Sequence, residues 1–202
     1  MKMMFDKMGI DVWEVIEAAA SKPFGFAPFC PGPGIGGECI AVVPMYLSWK
    51  AREVEAPTSL IDTAEIINAA MPSYVVEKIA DGLNRHQKSL SQAKILLLGV
   101  GYKKDVNDIR ESSSLKILSL LQKKQARVSY HDPYVPSIGY QHLQMESIDL
   151  TEHALSSFDA VVIATDHSNY HWPWILQHSA LLIDTRNVTA HLPDPESKVI
   201  KA

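Results

Sequence analysis

Cysteine is scarce in this chain. Cys30 and Cys39 are the only two in 202 residues, too few for a disulfide framework. That usage is expected of a cytoplasmic protein with reduced thiols. Basic residues are not in excess: 19 Lys and Arg stand against 23 Asp and Glu, a net charge of −4. The basic footprint of a nucleic-acid binder is therefore missing. No apolar run approaches the roughly 20 residues that span a bilayer. The opening "MKMMFDKMGIDVWEV" lacks the apolar core and cleavage site of a signal peptide. Eight histidines fall in no recognised metal-ligand spacing. There is no internal repeat and no low-complexity segment. With 47% hydrophobic and 21% charged residues, the remaining description is an ordinary globular chain of one or two domains.

Residues 1–87 read as helical. Phe5 and Met8 share a face, and Gly9 is placed to end that helix. Asp11 with Glu14 reads as a capping box, followed by Trp13, Ile16 and Ala20 at helical spacing. Beyond a glycine-rich interruption, "CIAVVPMYLSWKARE" is predicted helical with a kink at Pro44. Leu60, Ile61, Ala64 and Ile67 mark another helix, which Met71-Pro72 is expected to break or bend before Val75–Leu83. Near residue 88 the texture changes. Four short apolar runs follow, "KILLLG", "RVSYHD", "AVVIAT" and "ALLIDT", with helical patterns between some of them. The clearest is "SSSLKILSLLQKK", with Ser112 as its N-cap. Strands alternating with helices predict an α/β fold with a doubly wound parallel sheet over residues 88–202. Such sheets bind ligands at the carboxyl ends of their strands. Here those ends are Gly99–Lys104, Asp132–Tyr134, Thr165–His167 and Asp184–Arg186.

Two stretches carry candidate chemistry. In "LLLGVGYKKDVNDIRESSS", Gly99 and Gly101 resemble the start of a dinucleotide fingerprint. The third glycine is missing and the connection to the next helix is too long for the usual tight turn. Lys103, Lys104 and Arg110 either meet phosphate oxygens or form a solvated loop. In "PGPGIGGECIAVVP", Gly32, Gly34, Gly36 and Gly37 allow positive φ and close backbone approach around Cys39. A lone cysteine is usually a small buried hydrophobe. A helix starting near Cys39 would instead make it reactive through the N-terminal dipole. Cys30 has no such setting and reads as packing. His131 with Asp132, and His167 with Asp166, are acid–base pairs, metal ligands or plain turn residues. Trp172-Pro173-Trp174 reads as a packed lid.

Three motifs in order then give the chain a likeness. "KPFGFAPFCPGPGIGGECIAVVPMYLSWKARE", "LGVGYKKDVNDIRESSSLKIL" and "YHDPYVP" resemble the UDP-glucose/GDP-mannose dehydrogenase family, most of all its UDP-N-acetylhexosamine (UDP-N-acetylglucosamine) 6-dehydrogenase branch. The first is similar to the family's catalytic stretch, G-P-G-x-G-G-H-C-I-P-x-D-P. The other two are similar to the start of its UDP-sugar-binding domain. The resemblance implies oxidation of C6 of a UDP-hexose or UDP-N-acetylhexosamine to the uronate, for surface polysaccharide precursors. NAD is the oxidant, and the second oxidation runs through a thiohemiacetal and a thioester on cysteine. By resemblance Cys39 is that thiol. Gly32, Gly34, Gly36 and Gly37 pack against the sugar and diphosphate. Tyr102 and Lys103 hold the substrate, and Arg110 of the R-E-S motif lies close to substrate and cofactor.

The departures matter as much. Glu38 stands where the family has His, Ala41 where it has Pro, and Cys30 at a usual aromatic position. The family's catalytic Asp, four residues after the cysteine, is Val43, which can neither accept nor relay a proton. Family members also begin with an NAD-binding Rossmann domain and a helix bearing a catalytic Lys and Asn, none of which this chain matches. The reading is the C-terminal half of such an enzyme: a truncated helical dimerisation segment over 1–87 and a Rossmann-like UDP-sugar-binding domain over 88–202. It implies a homodimer, inactive by itself, with no confident NAD site and no metal. The rival reading is a non-catalytic nucleotide-sugar-binding or dimerising module.

Overall fold

The computed structural model describes residues 1–140 and 142–202. Four helices come first: α1 (Lys2–Met8), α2 (Val12–Ala20), α3 (Val43–Glu53) and α4 (Ser59–Arg85). Gly9 ends α1 in the left-handed conformation, φ 70°, and the Asp11 carboxylate caps α2 through Trp13 N–H at 2.9 Å. Strands and helices then alternate: β1 (Lys94–Leu98), α5 (Ser113–Lys123), β2 (Arg127–His131), a hairpin of β3 (Ser137–Tyr140) and β4 (Leu143–Glu146), α6 (Glu152–Ser157), β5 (Ala160–Ile163), α7 (Trp172–His178), β6 (Leu182–Asp184) and β7 (Val199–Lys201). Ser112 caps α5, as its sequence implies. Among the described residues no helix is long and apolar enough to cross a membrane.

The main sheet has the order β2-β1-β5-β6-β7, and every pairing in it is parallel. It is covered on both faces, because successive side chains of a strand point to opposite sides. Ile95 and Leu97 join Val75, Ile79 and Leu83 of α4 and Ile117, Leu118 and Leu121 of α5 in one apolar cluster. Leu96 and Leu98 join Leu155 of α6 and Ile175 and Leu176 of α7 in another. The doubly wound architecture is thus the predicted one. The register aligns Leu98 with His131 and with Ile163, and Ile163 with Asp184. The loops that follow β1, β2, β5 and β6 therefore share one rim.

Several expectations are corrected. Pro72 does not break α4, which runs on through it for 27 residues. Pro72 is buried, as are its neighbours Met71, Val75 and Val76 on the same helix. The carbonyl of Asn68, which a proline cannot meet with an N–H, faces Gly34: a Cβ there would lie 3.4 Å away. Pro44 does not kink α3 but sits in its first turn, where a missing N–H is harmless. Trp172 and Trp174 form the start of α7 and pack against the second cluster rather than making a lid. The hairpin and β7 carry too few apolar residues to stand out in the sequence.

A polar clasp ties α1 and α2 to the rest. Buried Lys2 donates from Nζ to Asp6 Oδ1 at 2.7 Å and to the carbonyl of Lys201 at 3.2 Å. Asp6 also meets Lys78 at 2.9 Å and the Tyr74 hydroxyl, while Lys201 pairs with Asp11. Burial pushes the Asp6 carboxyl up, but hydrogen bonds from Lys2, Tyr74 and Lys78 outweigh it and hold the group below its usual range. A depressed carboxylate stabilises the fold above its unfolded pKa and loses that contribution as pH falls through the folded value. Asp6→Asn is expected to lower stability by about 2–3 kcal/mol at pH 7, since it strands the buried Lys2 ammonium. The deficit should begin to shrink below about pH 4, the range of the unfolded carboxyl, and close only as pH falls through the lower folded value, where Asp6 itself takes a proton. Urea unfolding at both pH values checks this, and equal midpoints at pH 7 would contradict it.

Candidate functional site

The rim is organised by Asp132, just after β2 and 3% exposed. Its Oδ2 accepts from Val100 N–H at 2.7 Å, Gly101 N–H at 3.1 Å and His167 Nε2 at 3.0 Å. Its Oδ1 accepts from Tyr134 N–H at 2.8 Å and Val135 N–H at 3.2 Å. Burial raises the Asp132 carboxyl, but these donors, His167 foremost, more than offset that and keep its pKa low. His167 is wholly buried. Its Nδ1 accepts the Asp105 N–H at 2.9 Å, so the ring hydrogen is on Nε2 and points at Asp132. Asp105 accepts in turn from Ser168 N–H at 2.8 Å and Ser168 Oγ at 2.6 Å. Thr165 Oγ1 donates to the Gly101 carbonyl at 2.7 Å. The histidine pairs read from sequence neighbours are therefore corrected. His167 pairs with Asp132 across two strands rather than with Asp166, and His131 Nδ1 lies 3.1 Å from the Tyr170 hydroxyl.

This arrangement bears on NAD. In a dinucleotide-binding turn, free backbone N–H groups after the first strand meet the pyrophosphate. Here the N–H groups of Val100 and Gly101 are already taken by the Asp132 carboxylate. A Cβ at Gly99 would lie 2.4 Å from Thr165 Cβ, so that glycine serves packing against β5's loop. The turn does not fit a dinucleotide.

The glycine loop lies across this rim. A Cβ at Gly36 would fall 2.6 Å from Tyr102 Cβ and 2.9 Å from the Glu111 carbonyl. One at Gly37, where φ is +73°, would fall 2.8 Å from Tyr102 Cε2. Gly37 N–H also donates to the Arg110 carbonyl at 3.0 Å. Gly34 abuts Ser113 at the head of α5, and Gly32 abuts Arg186 Nη1. These glycines thus give the protein's own side chains, rather than open space, access to their backbone. Tyr102 is the pillar beneath the loop, and Lys103 is exposed beside it. Arg110 is exposed, yet its donors are committed. It grips Asp108 through Nε at 3.1 Å and Nη2 at 2.7 Å, and Glu38 through Nη1 at 2.8 Å. Those Arg110 bonds hold the Asp108 carboxyl below its usual range.

Cys39 is exposed in a turn closed by Val42 and Val43 N–H on the Glu38 carbonyl, at 3.1 and 3.0 Å. The helix begins only at Val43. Cys39 therefore does not sit at its N-terminus, and the expected dipole effect has no geometric basis. Cys30 is exposed too, which corrects its reading as a packing residue. Val43, 54% exposed, stands in α3's first turn.

Arg186 is the residue that sequence reasoning placed on the rim but not in the site. Its Nε donates to the Ala164 carbonyl at 2.8 Å. Burial outweighs the pull of Asp166 and Asp184 and lowers its pKa. Its guanidinium lines a cavity of about 530 Å³ with Gly32, Gly34, Val12, Ile16 and Met71, a cavity that Cys39 does not reach. A cation after a parallel strand is the signal that could have selected it.

A doubly wound sheet whose rim is overlain by a glycine–cysteine loop defines the nucleotide-sugar dehydrogenases as the class to which these features point. The chain belongs to the UDP-glucose/GDP-mannose dehydrogenase family. That family's UDP binding domain matches residues 96–191 and its central domain matches residues 1–70. The chain is 30% identical over 194 residues to the UDP-N-acetyl-D-mannosamine dehydrogenase of Methanococcus vannielii, with 92% of this chain and 42% of that protein covered. It is 29% identical over 169 residues to the UDP-N-acetyl-D-glucosamine 6-dehydrogenase of Pseudomonas aeruginosa, covering 83% and 39%. Among solved structures, the UDP-D-ManNAc dehydrogenase of Pyrococcus horikoshii superposes with a TM-score of 0.79 at 28% identity, covering 98% of this chain and 45% of that one. The chain thus spans less than half the length of the relatives it matches.

Proposed function

We propose that this chain is the cysteine-bearing and UDP-sugar-binding portion of an NAD-dependent, cytoplasmic nucleotide-sugar 6-dehydrogenase. Its substrate is a UDP-hexose or UDP-N-acetylhexosamine, oxidised to the uronate for surface polysaccharide precursors. The observation that carries this reading is the seating of the Cys39 loop on Tyr102, beside Lys103, through Gly36 and Gly37. That contact joins the thiol and a cation suited to a diphosphate in one unit. Cys39 would add through Sγ to the C6 aldehyde, its proton passing to the carbonyl oxygen, while Lys103 and Arg186 face anionic oxygens. NAD, the family's oxidant, finds no fit at the Gly99–Gly101 turn.

A second reading, a nucleotide-sugar-binding or dimerising module without catalysis, is favoured by two residues. Val43 stands where the family has its catalytic Asp, and Glu38 occupies Arg110. In either case residues 1–87 form a pairing segment. Val43, Tyr46, Leu47 and Trp49 of α3, with Leu60 and Ile66 of α4, are more than half exposed. Apolar exposure on that scale marks an interaction surface, and a symmetric homodimer covers it economically.

Calorimetry on the chain should show UDP binding more tightly than NAD. Lys103→Ala should weaken UDP by about tenfold, the worth of one charge-assisted hydrogen bond. Unchanged UDP affinity in the variant would remove Lys103 from the site, and tighter NAD than UDP binding would overturn the domain assignment. Incubated with NAD and a UDP-N-acetylhexosamine, the 202-residue chain should form no NADH above a Cys39→Ala control. Cysteine-dependent NADH would refute the inactivity inferred from Val43. Sedimentation at micromolar concentration should give a dimer, and Trp49→Glu should raise its dissociation constant at least tenfold, as for a buried aromatic anchor. A wild-type monomer would count against the pairing segment.

A further inference from the structure

We infer that His167 is the positioning residue of the nucleotide loop: through Nδ1 it holds the Asp105 amide and so sets where Lys103 stands. This rests on the proposed meeting of Lys103 with UDP. The loop from Val100 to Asp108 leaves β1 and must cross the rim before α5 begins. Its near end is fixed by Asp132 on the Val100 and Gly101 amides, and by Thr165 on the Gly101 carbonyl. Its far side is fixed at Tyr102, whose N–H donates to the Asp108 carbonyl at 2.9 Å. Between these anchors lie exposed Lys103 and Lys104, and the next tethers are at Asp105, its backbone held by the 2.9 Å bond from its N–H to His167 Nδ1 and its carboxylate by Ser168 N–H and Oγ. Lys103 therefore stands two residues from a bond made to a wholly buried ring.

The ring can serve this way only in one protonation state. Nε2 is a donor to Asp132 at 3.0 Å, so Nδ1 must be the bare acceptor. Around it stand the Asp105 carboxylate, 3.8 Å from Nδ1, the Tyr134 ring at 5.0 Å and the Tyr170 ring at 5.8 Å, with His131 beyond Tyr170. A proton added at Nδ1 turns the acceptor into a donor. The Asp105 amide then loses its partner, and the new N–H is drawn to the Asp105 carboxylate, which pulls the loop out of register. The tethered loop thus requires a bare Nδ1 facing the Asp105 amide.

Two substitutions separate the two ring nitrogens. In His167→Gln the side-chain NH₂ reaches the place of Nε2 and keeps Asp132 satisfied, but the Nδ1 acceptor is gone. In His167→Asn the amide oxygen takes the place of Nδ1 and keeps the Asp105 bond, while Asp132 loses its donor. By calorimetry His167→Gln should bind UDP about tenfold more weakly, and His167→Asn within about threefold of wild type despite a lower urea midpoint. Hydrogen exchange, read without UDP, should show the Asp105 amide and its neighbours accelerated in His167→Gln and not in His167→Asn. Wild-type affinity in His167→Gln, or losses in both variants that simply track their stability, would overturn the inference. If the wild type does not bind UDP, the proposed function falls and exchange decides alone. Acceleration confined to His167→Gln keeps His167 as the loop's anchor, and unchanged exchange removes it.

Discussion

A carboxylate sealed from water is among the most expensive groups a fold can contain unless every lone pair is met. Asp132 meets that condition with four backbone amides and one imidazole. Each donor belongs to a segment that must adopt one conformation to reach it. The turn after β1, the turn after β2 and the segment after β5 are thereby fixed to one another at a single point. The same point explains why this turn, although built like the start of a dinucleotide-binding fold, offers no free amides to a pyrophosphate. The amides that would greet a pyrophosphate are already bonded from inside by Asp132, and the proposed roles of Lys103 and Arg186 follow from that.

Much of this was legible in the sequence. "KILLLG", "RVSYHD", "AVVIAT" and "ALLIDT" became β1, β2, β5 and β6, because runs buried on both faces of a parallel sheet must be apolar throughout. Ser112 and Gly9 declared their caps through local chemistry. What stayed hidden depends on contacts distant in sequence. His167 and Asp132 are separated by 35 residues, and each has a nearer neighbour that looks like its partner. Pro72 looks like a breaker in sequence, where neither its burial nor the nearness of Gly34, far earlier in the chain, can be read. The glycines around Cys39 announce close approach, but only the fold shows that what approaches first is Tyr102.

The departures at Glu38 and Val43 also take on a shape in three dimensions. Glu38 bridges the cysteine turn to Arg110, which is already gripping Asp108, so two carboxylates surround one guanidinium. Both partners of the Glu38–Arg110 pair are well exposed, and such pairs contribute little to stability. Their effect lies in local charge: Glu38, next to Cys39 in sequence, and Asp108 together offset the Arg110 cation. Val43 adds an apolar surface one turn further on, continuous with the exposed face of α3.

Because Pro72 leaves α4 unbroken, the helix is a strut roughly 40 Å long at 1.5 Å per residue. One arm carries the exposed Leu60 and Ile66, and the other is buried in the sheet's core through Val75, Ile79 and Leu83. Pro72 lies near the middle, in contact range of Gly34. The cysteine-bearing loop therefore packs, through Gly34, at the joint between an arm left open to solvent and an arm sunk in the sheet's core.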